Sequence, residues 1–376
     1  MENKTPLKFF MIAGEPSGDL HGAKLINAIK SIEKNSSFMG HGGDLMSKEG
    51  MKIIEHINNL SIMGFKEVIM HLPRILNIFN KTIHLIQKVK PDRIILIDYP
   101  GFNLKIAKKI RRLKIPISYF ILPQAWAWKS SRVKVMKQTL DQSFSIFPFE
   151  KKWYQSKGLP VKYFGHPFIE DEHVNENTKQ FYKRHNLNSN YPLLTLLPGS
   201  RQQEINRHWP IFVKTTELIK KKYPNIQILL AKSDNVIIQN IPQNYKIEKN
   251  SRKAILAASA TLVASGTATL ECAIANTPMV VCYKLSTISW LISQYLIKIK
   301  FISIVNLIAE KKIVPEFLQS DMDPEKIQNN LIKLLDINST KRNTMIQNLE
   351  KVKKQLGSPG VYKKIAESIV KKTMKN

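Results

Sequence analysis

An aspartate ends the apolar run RIILID at residues 93–98, and Tyr99, Pro100, Gly101, Phe102 and Asn103 follow it. A carboxylate at the mouth of a buried strand is partly shielded from water. Desolvation disfavours the ionised form, so Asp98 suits general-base work. The competing reading is an aspartate that bonds the amides of the next turn. A second acidic loop, GEPSGD at 14–19, also follows an apolar run. It lacks the dinucleotide fingerprint. Small residues let backbone amides approach a ligand, but Glu15 and Asp19 would repel a phosphate. The loop therefore suits sugar hydroxyls, met by Ser17 and Gly18, with Glu15 and Asp19 as further catalytic candidates. The plainer alternative is a tight turn in which Asp19 helps cap a helix. A third loop, PQAWAWK at 123–129, carries Gln124 and two tryptophans two residues apart. One indole is expected to pack beneath the loop; the other suits a sugar or acyl platform, with Trp126 the chosen candidate.

The second half carries two loops of another kind. LPGSR at 197–201 brings Ser200 and Arg201 to a helix start, where amides and a guanidinium grip one diphosphate together. ASGTATLE at 264–271 repeats the arrangement. Amides near Gly266 and Thr267 would face a phosphate, and Glu271, a turn further in, suits ribose hydroxyls. Close helix packing also explains small residues at either place, but two such grips followed by a carboxylate are more specific than one.

These loops need scaffolds that aim them. Residues 7–13, 93–98, 117–122, 143–147 and 161–164 read as buried strands, and so do 193–197, 226–231, 260–264 and 279–282. Helical stretches separate them, beginning with about 18–34 and 103–113. Continuous apolar runs between helices indicate parallel sheets covered on both faces. Residues 170–190 are polar and read as a linker. The expected class is α/β, with two Rossmann-like domains facing across a cleft: 1–170, then 185–355, then a C-terminal helix within 356–376 packing back on the first. Ligands of open parallel sheets sit beyond the carboxyl ends of strands, where all these loops lie.

Composition adds bounds. The 58 basic residues exceed the 29 acidic ones, so the chain attracts anions. Compositional drift toward lysine accounts for this equally well, so only local patterning carries weight. Dispersed lysines argue against nucleic acid as a partner. Cys272 and Cys282 fit no zinc or redox spacing and read as reduced core residues, in keeping with the cytoplasm. No signal peptide is evident at the N-terminus.

Seven segments together carry a resemblance: GEPSGDLHGAKLI, IDYPGFN, LPQAWAWKSSR, FPFEKKWY, FGHPF, LLPGSR and LVASGTATLECAIANTPMVVCYK. In this order and spacing, over roughly residues 7–320, they resemble the lipid-A-disaccharide synthase family. The resemblance implies a GT-B fold and an inverting sugar transfer from UDP-2,3-diacylglucosamine to 2,3-diacylglucosamine 1-phosphate, without metal or cofactor. It implies Asp98 as general base and Ser200, Arg201, Ser265, Gly266, Thr267 and Glu271 as holders of the nucleotide. Asn306 matches a family position near the cleft and joins Ser17, Gly18, Asn103, Gln124 and Trp126 as acceptor-side candidates. Gln202 and Gln203 depart from the family's usual pair, while Glu204 keeps a carboxylate for the nucleotide side. Other GT-B proteins, such as a UDP-GlcNAc 2-epimerase, are the main rivals. Self-association is left open.

Lipid substrates give two further segments a reading. Residues 64–89 place Phe65, Val68, Ile69 and Leu72 at helical spacing, with Pro73 starting a second helix. Residues 290–307 include Trp290, Leu296 and Phe301. Across 284–312 five lysines stand against one acid. Both segments read either as core-facing helices or as surfaces that dip into an anionic leaflet and admit acyl chains. The second reading makes an anionic membrane surface a partner and the inner membrane a peripheral location. Neither run spans a bilayer, which takes roughly 20 apolar residues.

Overall fold

Short runs of apolar and β-branched residues build two separate parallel sheets in the computed structural model, which describes residues 6–60, 72–171, 177–287, 290–291 and 300–375. The first sheet holds β1 (Lys8–Ile12), β2 (Ser37–Gly42), β3 (Lys52–His56), β4 (Arg93–Ile97), β5 (Ile117–Phe120), β6 (Gln142–Ser145) and β7 (Lys162–Tyr163) in the order β3-β2-β1-β4-β5-β6-β7. The second holds β8 (Leu193–Leu197), β9 (Gln227–Ala231), β10 (Lys246–Glu248), β11 (Ala260–Ala264), β12 (Met279–Tyr283) and β13 (Glu316–Leu318) in the order β10-β9-β8-β11-β12-β13. Every pairing is parallel. Parallel strands need covered faces, and β4, β5, β8 and β11 are buried along their whole length.

Strand order reverses at one place in each sheet. In the first it lies between β1 and β4, and in the second between β8 and β11. Connections leave in opposite directions there, which opens a crevice at the carboxyl ends. Residues 14–19 and 98–103 flank the first crevice; 198–201 and 265–271 flank the second.

The two units are 1–167 with 358–376, and 168–357. Residues 177–190, read as linker from their polarity, contain the helix Thr178–Arg184. Asn177 caps it by accepting the Lys179 amide proton, and Phe181 is buried against Leu193 and Leu229. One aromatic side chain anchors what the polar residues around it disguise.

The last helix, Val361–Thr373, belongs to the first unit. It packs on the helix Pro16–Ile32 and buries Val361, Ile365, Ile369 and Val370. Its polar side closes on the amino ends of the strands. Arg93 Nε donates to Thr373 Oγ1 at 2.6 Å, and Gln142 Nε2 donates to the Ser368 carbonyl at 2.9 Å. His21 Nδ1 and the Tyr362 hydroxyl lie 2.7 Å apart. Burying an aliphatic side chain contributes about 1.5–3 kcal/mol. Four of them rival the net stability of an entire domain, about 5–15 kcal/mol. A chain ending at Gly360 should therefore fail to give a folded first unit while 168–357 still melts cooperatively. Calorimetry showing both transitions unchanged would refute this.

Candidate functional site

The first half-site is built on Asn103. Its side chain is buried, and Nδ2 faces the carbonyls of Asp98 at 2.7 Å, Ile97 at 3.3 Å and Ile12 at 3.4 Å. It thus ties the ends of β1 and β4, and is a positioning residue rather than the acceptor contact expected. Asp98 and Tyr99 both take left-handed backbone, φ 44° and 47°. The Asp98 carbonyl also accepts the Tyr119 hydroxyl at 2.5 Å. Tyr99 donates to the Leu60 carbonyl at 2.8 Å, and its ring lies where a Gly14 Cβ would stand, 2.3 Å from the nearest ring carbon. Glycine at 14 thus lets the two loops meet.

This backbone leaves the Asp98 carboxyl half-buried at the crevice. Burial, then the neighbouring Glu15 charge, push its pKa up to about 6; the Tyr99 amide and Arg132 oppose them. A carboxylate so placed accepts a proton readily and is still ionised at neutral pH. Glu15 is half-buried and Ser17 exposed, both at the same end of the sheet. Asp19 differs. It is 4% exposed, and its carboxylate accepts the amide protons of Gly43 at 2.7 Å, Met46 at 3.0 Å and Leu45 at 3.1 Å. It caps the short helix Asp44–Lys48, so the catalytic candidacy gives way to a structural task. Gly18 is also buried, close against Ala13.

The tryptophans divide in the opposite sense from that expected. Trp126 is tucked in, its indole N–H on Glu150 Oε1 at 2.8 Å and its ring edge-on to Phe149. Trp128 is the exposed one, at 40%. Gln124 is exposed beside them. Glu150 escaped the sequence reading. It is fully buried and also accepts the amide protons of Phe147 and Ile146. Burial pushes its pKa up to about 7; those three donors hold it down, and the Asp98 charge adds to the rise. The signal was present in FPFE: a glutamate three residues after the phenylalanine that precedes the helix, with proline at the helix start.

The second half-site has its own brace. Gly199 takes φ 131°, and a Cβ there would stand 2.8 Å from Glu204 Cβ. Glu204 accepts the Ser200 amide proton at 3.1 Å and pairs with Arg201 at 3.2 Å. It organises the loop that presents Ser200 and Arg201, both exposed. His208 is buried, with Nδ1 2.7 Å from the Pro198 carbonyl and Nε2 accepting the Lys284 amide proton at 2.9 Å. It joins the carboxyl ends of β8 and β12. Gly266 and Thr267 are exposed at the start of the helix Thr267–Ile274, while the Ser265 hydroxyl donates to the Ile302 carbonyl. Glu271 accepts from Ser251 Oγ at 3.0 Å and lies 3.9 Å from Arg252. Asn306 is fully buried and joins the Val314 carbonyl, Glu316 and the amides of 313–314. Its amide is consumed inside the unit, so it too positions backbone rather than meeting an acceptor.

Of the apolar candidates, Phe65, Val68, Ile69 and Leu296 lie outside the described residues. Leu72 begins the helix Leu72–Val89 and is 47% exposed, with Leu76 at 52%. The same helix buries Ile78, Thr82 and Ile86. Trp290 is half-buried, and Phe301 is half-buried beneath the Lys300 ammonium. Among the described residues no helix is long and apolar enough to cross a membrane.

The Asp98 geometry yields a two-sided expectation. Asparagine tolerates left-handed backbone as aspartate does, so Asp98→Asn should fold. Loss of a general base costs roughly 10²–10⁴ in rate. Because the folded pKa of about 6 lies above the ordinary 3.8, the folded state holds its proton more tightly than the unfolded chain. The Asp98 contribution to stability therefore falls as pH rises from about 4 to 6, and its cost is complete above that window. The variant should melt higher than wild type at pH 8, by on the order of 2–3 kcal/mol, and show no advantage below pH 4. Near-normal turnover by the folded variant would transfer the base role to Glu15.

The chain is similar to known proteins in sequence and in fold. A family model described as lipid-A-disaccharide synthetase matches residues 9–372. A lipid-A-disaccharide synthase of Myxococcus xanthus is 33% identical over 97% of this chain and 97% of its own length. One of Solibacter usitatus is 35% identical over 94% and 95% respectively. Among solved structures, the kitacinnamycin glycotransferase superposes with a TM-score of 0.67 at 10% identity, covering 98% of this chain and 100% of that one. The UDP-GlcNAc 2-epimerase of Neisseria meningitidis, bound to UDP-GlcNAc, gives 0.61 at 13% identity, with 98% and 100% covered. These two likenesses establish the GT-B fold alone.

Proposed function

The chain belongs to the lipid-A-disaccharide synthetase family, and from that premise we propose the reaction and the residues that perform it. It is a glycosyltransferase of lipid A disaccharide synthesis. The donor is UDP-2,3-diacylglucosamine and the acceptor 2,3-diacylglucosamine 1-phosphate. Asp98 takes the proton from the acceptor's 6-hydroxyl as that oxygen attacks the donor's anomeric carbon. UDP leaves, and one displacement inverts the configuration. The observation that carries this reading is Asp98 itself, a half-buried carboxyl with a raised pKa at the strand-order reversal of its sheet.

Charge grows on the departing diphosphate, so groups that meet it act most strongly in the transition state. Ser200, Arg201 and the amides at Gly266 and Thr267 take that task, with Glu204 holding the loop and Glu271 left for the ribose hydroxyls. Purified protein given both acylated sugars should release UDP and form the β-1,6-linked disaccharide phosphate. Arg201→Ala should weaken UDP binding and lower kcat further, and lysine should rescue it poorly because it cannot bond bidentately. Free UDP-sugar epimerised without an acceptor would instead favour the epimerase reading.

Membrane docking follows from the substrates. Leu72 and Leu76 are exposed at the start of a helix that also carries Arg74, Lys81 and Lys88. Apolar side chains among cations suit the face of an anionic leaflet. Replacing both leucines with serine should weaken sedimentation with anionic vesicles severalfold, leave the melting temperature unchanged, and make residual binding more salt-sensitive. Unchanged vesicle binding would remove this helix from the docking surface.

A further inference from the structure

The loop after β5 presents two cations that the reaction above leaves without a task. Lys129 Nζ and the Arg132 guanidinium carbon each lie 4.7 Å from the centre of the exposed Trp128 ring. Among the described residues, neither has a carboxylate within ion-pair distance. Lys129 stands at φ 54°, a left-handed backbone that glycine would adopt with less strain.

The loop's position supplies the rest. It leaves the carboxyl end of β5, which pairs with β4, the strand that ends at Asp98. Tyr119 of β5 bonds the Asp98 carbonyl directly. Arg132 is close enough for its charge to favour the Asp98 carboxylate. Arg132 therefore stands near the base, and Lys129 shares with it the Trp128 ring, which on the reading above puts the cluster on the acceptor's side of the reaction. The acceptor carries its phosphate on the anomeric carbon and the reacting 6-hydroxyl on the carbon attached to C5, so the two groups flank the ring oxygen.

Resting on the acceptor and base assigned above, we propose that Lys129 and Arg132, held over the Trp128 ring, bind the acceptor's anomeric phosphate. A guanidinium and an ammonium together offset a phosphate dianion. The indole face covers the apolar flank of the sugar. Anchoring the phosphate fixes the position of the ring and directs the 6-hydroxyl toward Asp98.

The test pairs variants with two acceptors, the natural phosphate and the same diacylglucosamine without it. Assays run at pH 8, above the Asp98 range, so that loss of the Arg132 charge does not alter the base. Wild type should favour the phosphorylated acceptor by about 10²-fold in kcat/KM, the yield of two charge-assisted contacts. Lys129→Gly and Arg132→Ala should each lower that value about tenfold, through acceptor KM. Both should leave the unphosphorylated acceptor within about twofold and the donor KM unchanged. Lys129→Gly relieves the backbone, so its melting temperature should not fall. Equal losses on both acceptors would overturn the proposal and reduce the pair to loop supports. A raised donor KM with unchanged acceptor preference would overturn it in favour of the leaving diphosphate. Wild type that forms no disaccharide from either acceptor sinks the underlying reaction, and the proposal with it.

Discussion

Where β1 and β4 diverge at the carboxyl edge of their sheet, the last carbonyls lose their neighbours and need donors. A buried carbonyl left unpaired costs about 1–3 kcal/mol. Asn103 meets the carbonyls of Ile12, Ile97 and Asp98 from one amide group. Everything at the first half-site follows from that staple: the left-handed turn at Asp98 and Tyr99, the approach of Tyr99 to Gly14, and the exposure of the carboxyl. The second unit meets the same constraint differently. There His208 joins the Pro198 carbonyl to the Lys284 amide, and Glu204 closes the loop between them. Both crevices arise from strand order, and both are held open by a buried polar side chain.

The two carboxyls of the first half-site show how one surrounding serves two ends. Glu150 is buried and occupied by three donors, so it is spent on fixing Trp126 and the turn at 146–147. Asp98 gains only its neighbour's amide among such bonds, which leaves oxygen lone pairs open to a substrate proton. The difference lies in the number of N–H groups aimed at each carboxylate, since both are desolvated.

Legibility in the sequence tracked the kind of physics each residue obeys. LLTLL and RIILID announce buried strands because every position faces apolar cover. The strand SFMGHG does not, and Gly40 is part of the reason: its Cβ would lie 2.0 Å from the Met11 carbonyl oxygen, so the pairing of β2 with β1 requires glycine at that position and breaks the apolar run. The edge strands β10 and β13 are three residues each, too short for any period to register. The loops of the site were visible because glycine, proline and carboxylates cluster at strand ends. The roles within them were less so. Asp19, Asn103 and Asn306 look like ligand contacts when only residue type is known. Their partners are backbone groups of distant segments, which a linear reading does not reveal. The indole pair gave the same difficulty: two identical side chains, with only the folded position of Glu150 deciding which one turns inward.

The final helix has a consequence for how the molecule is made. The first unit needs Val361–Thr373 to close over Arg93 and Gln142, yet those residues are synthesised only after the whole of the second unit. The second unit is one uninterrupted stretch, 168–357. On a ribosome the later-encoded unit therefore holds all its parts first, and the earlier-encoded one waits, its sheet uncapped, until Val361–Thr373 emerges. For that interval the apolar bed prepared for Ile365 and Ile369 is open to solvent, and to any chaperone that surveys nascent chains.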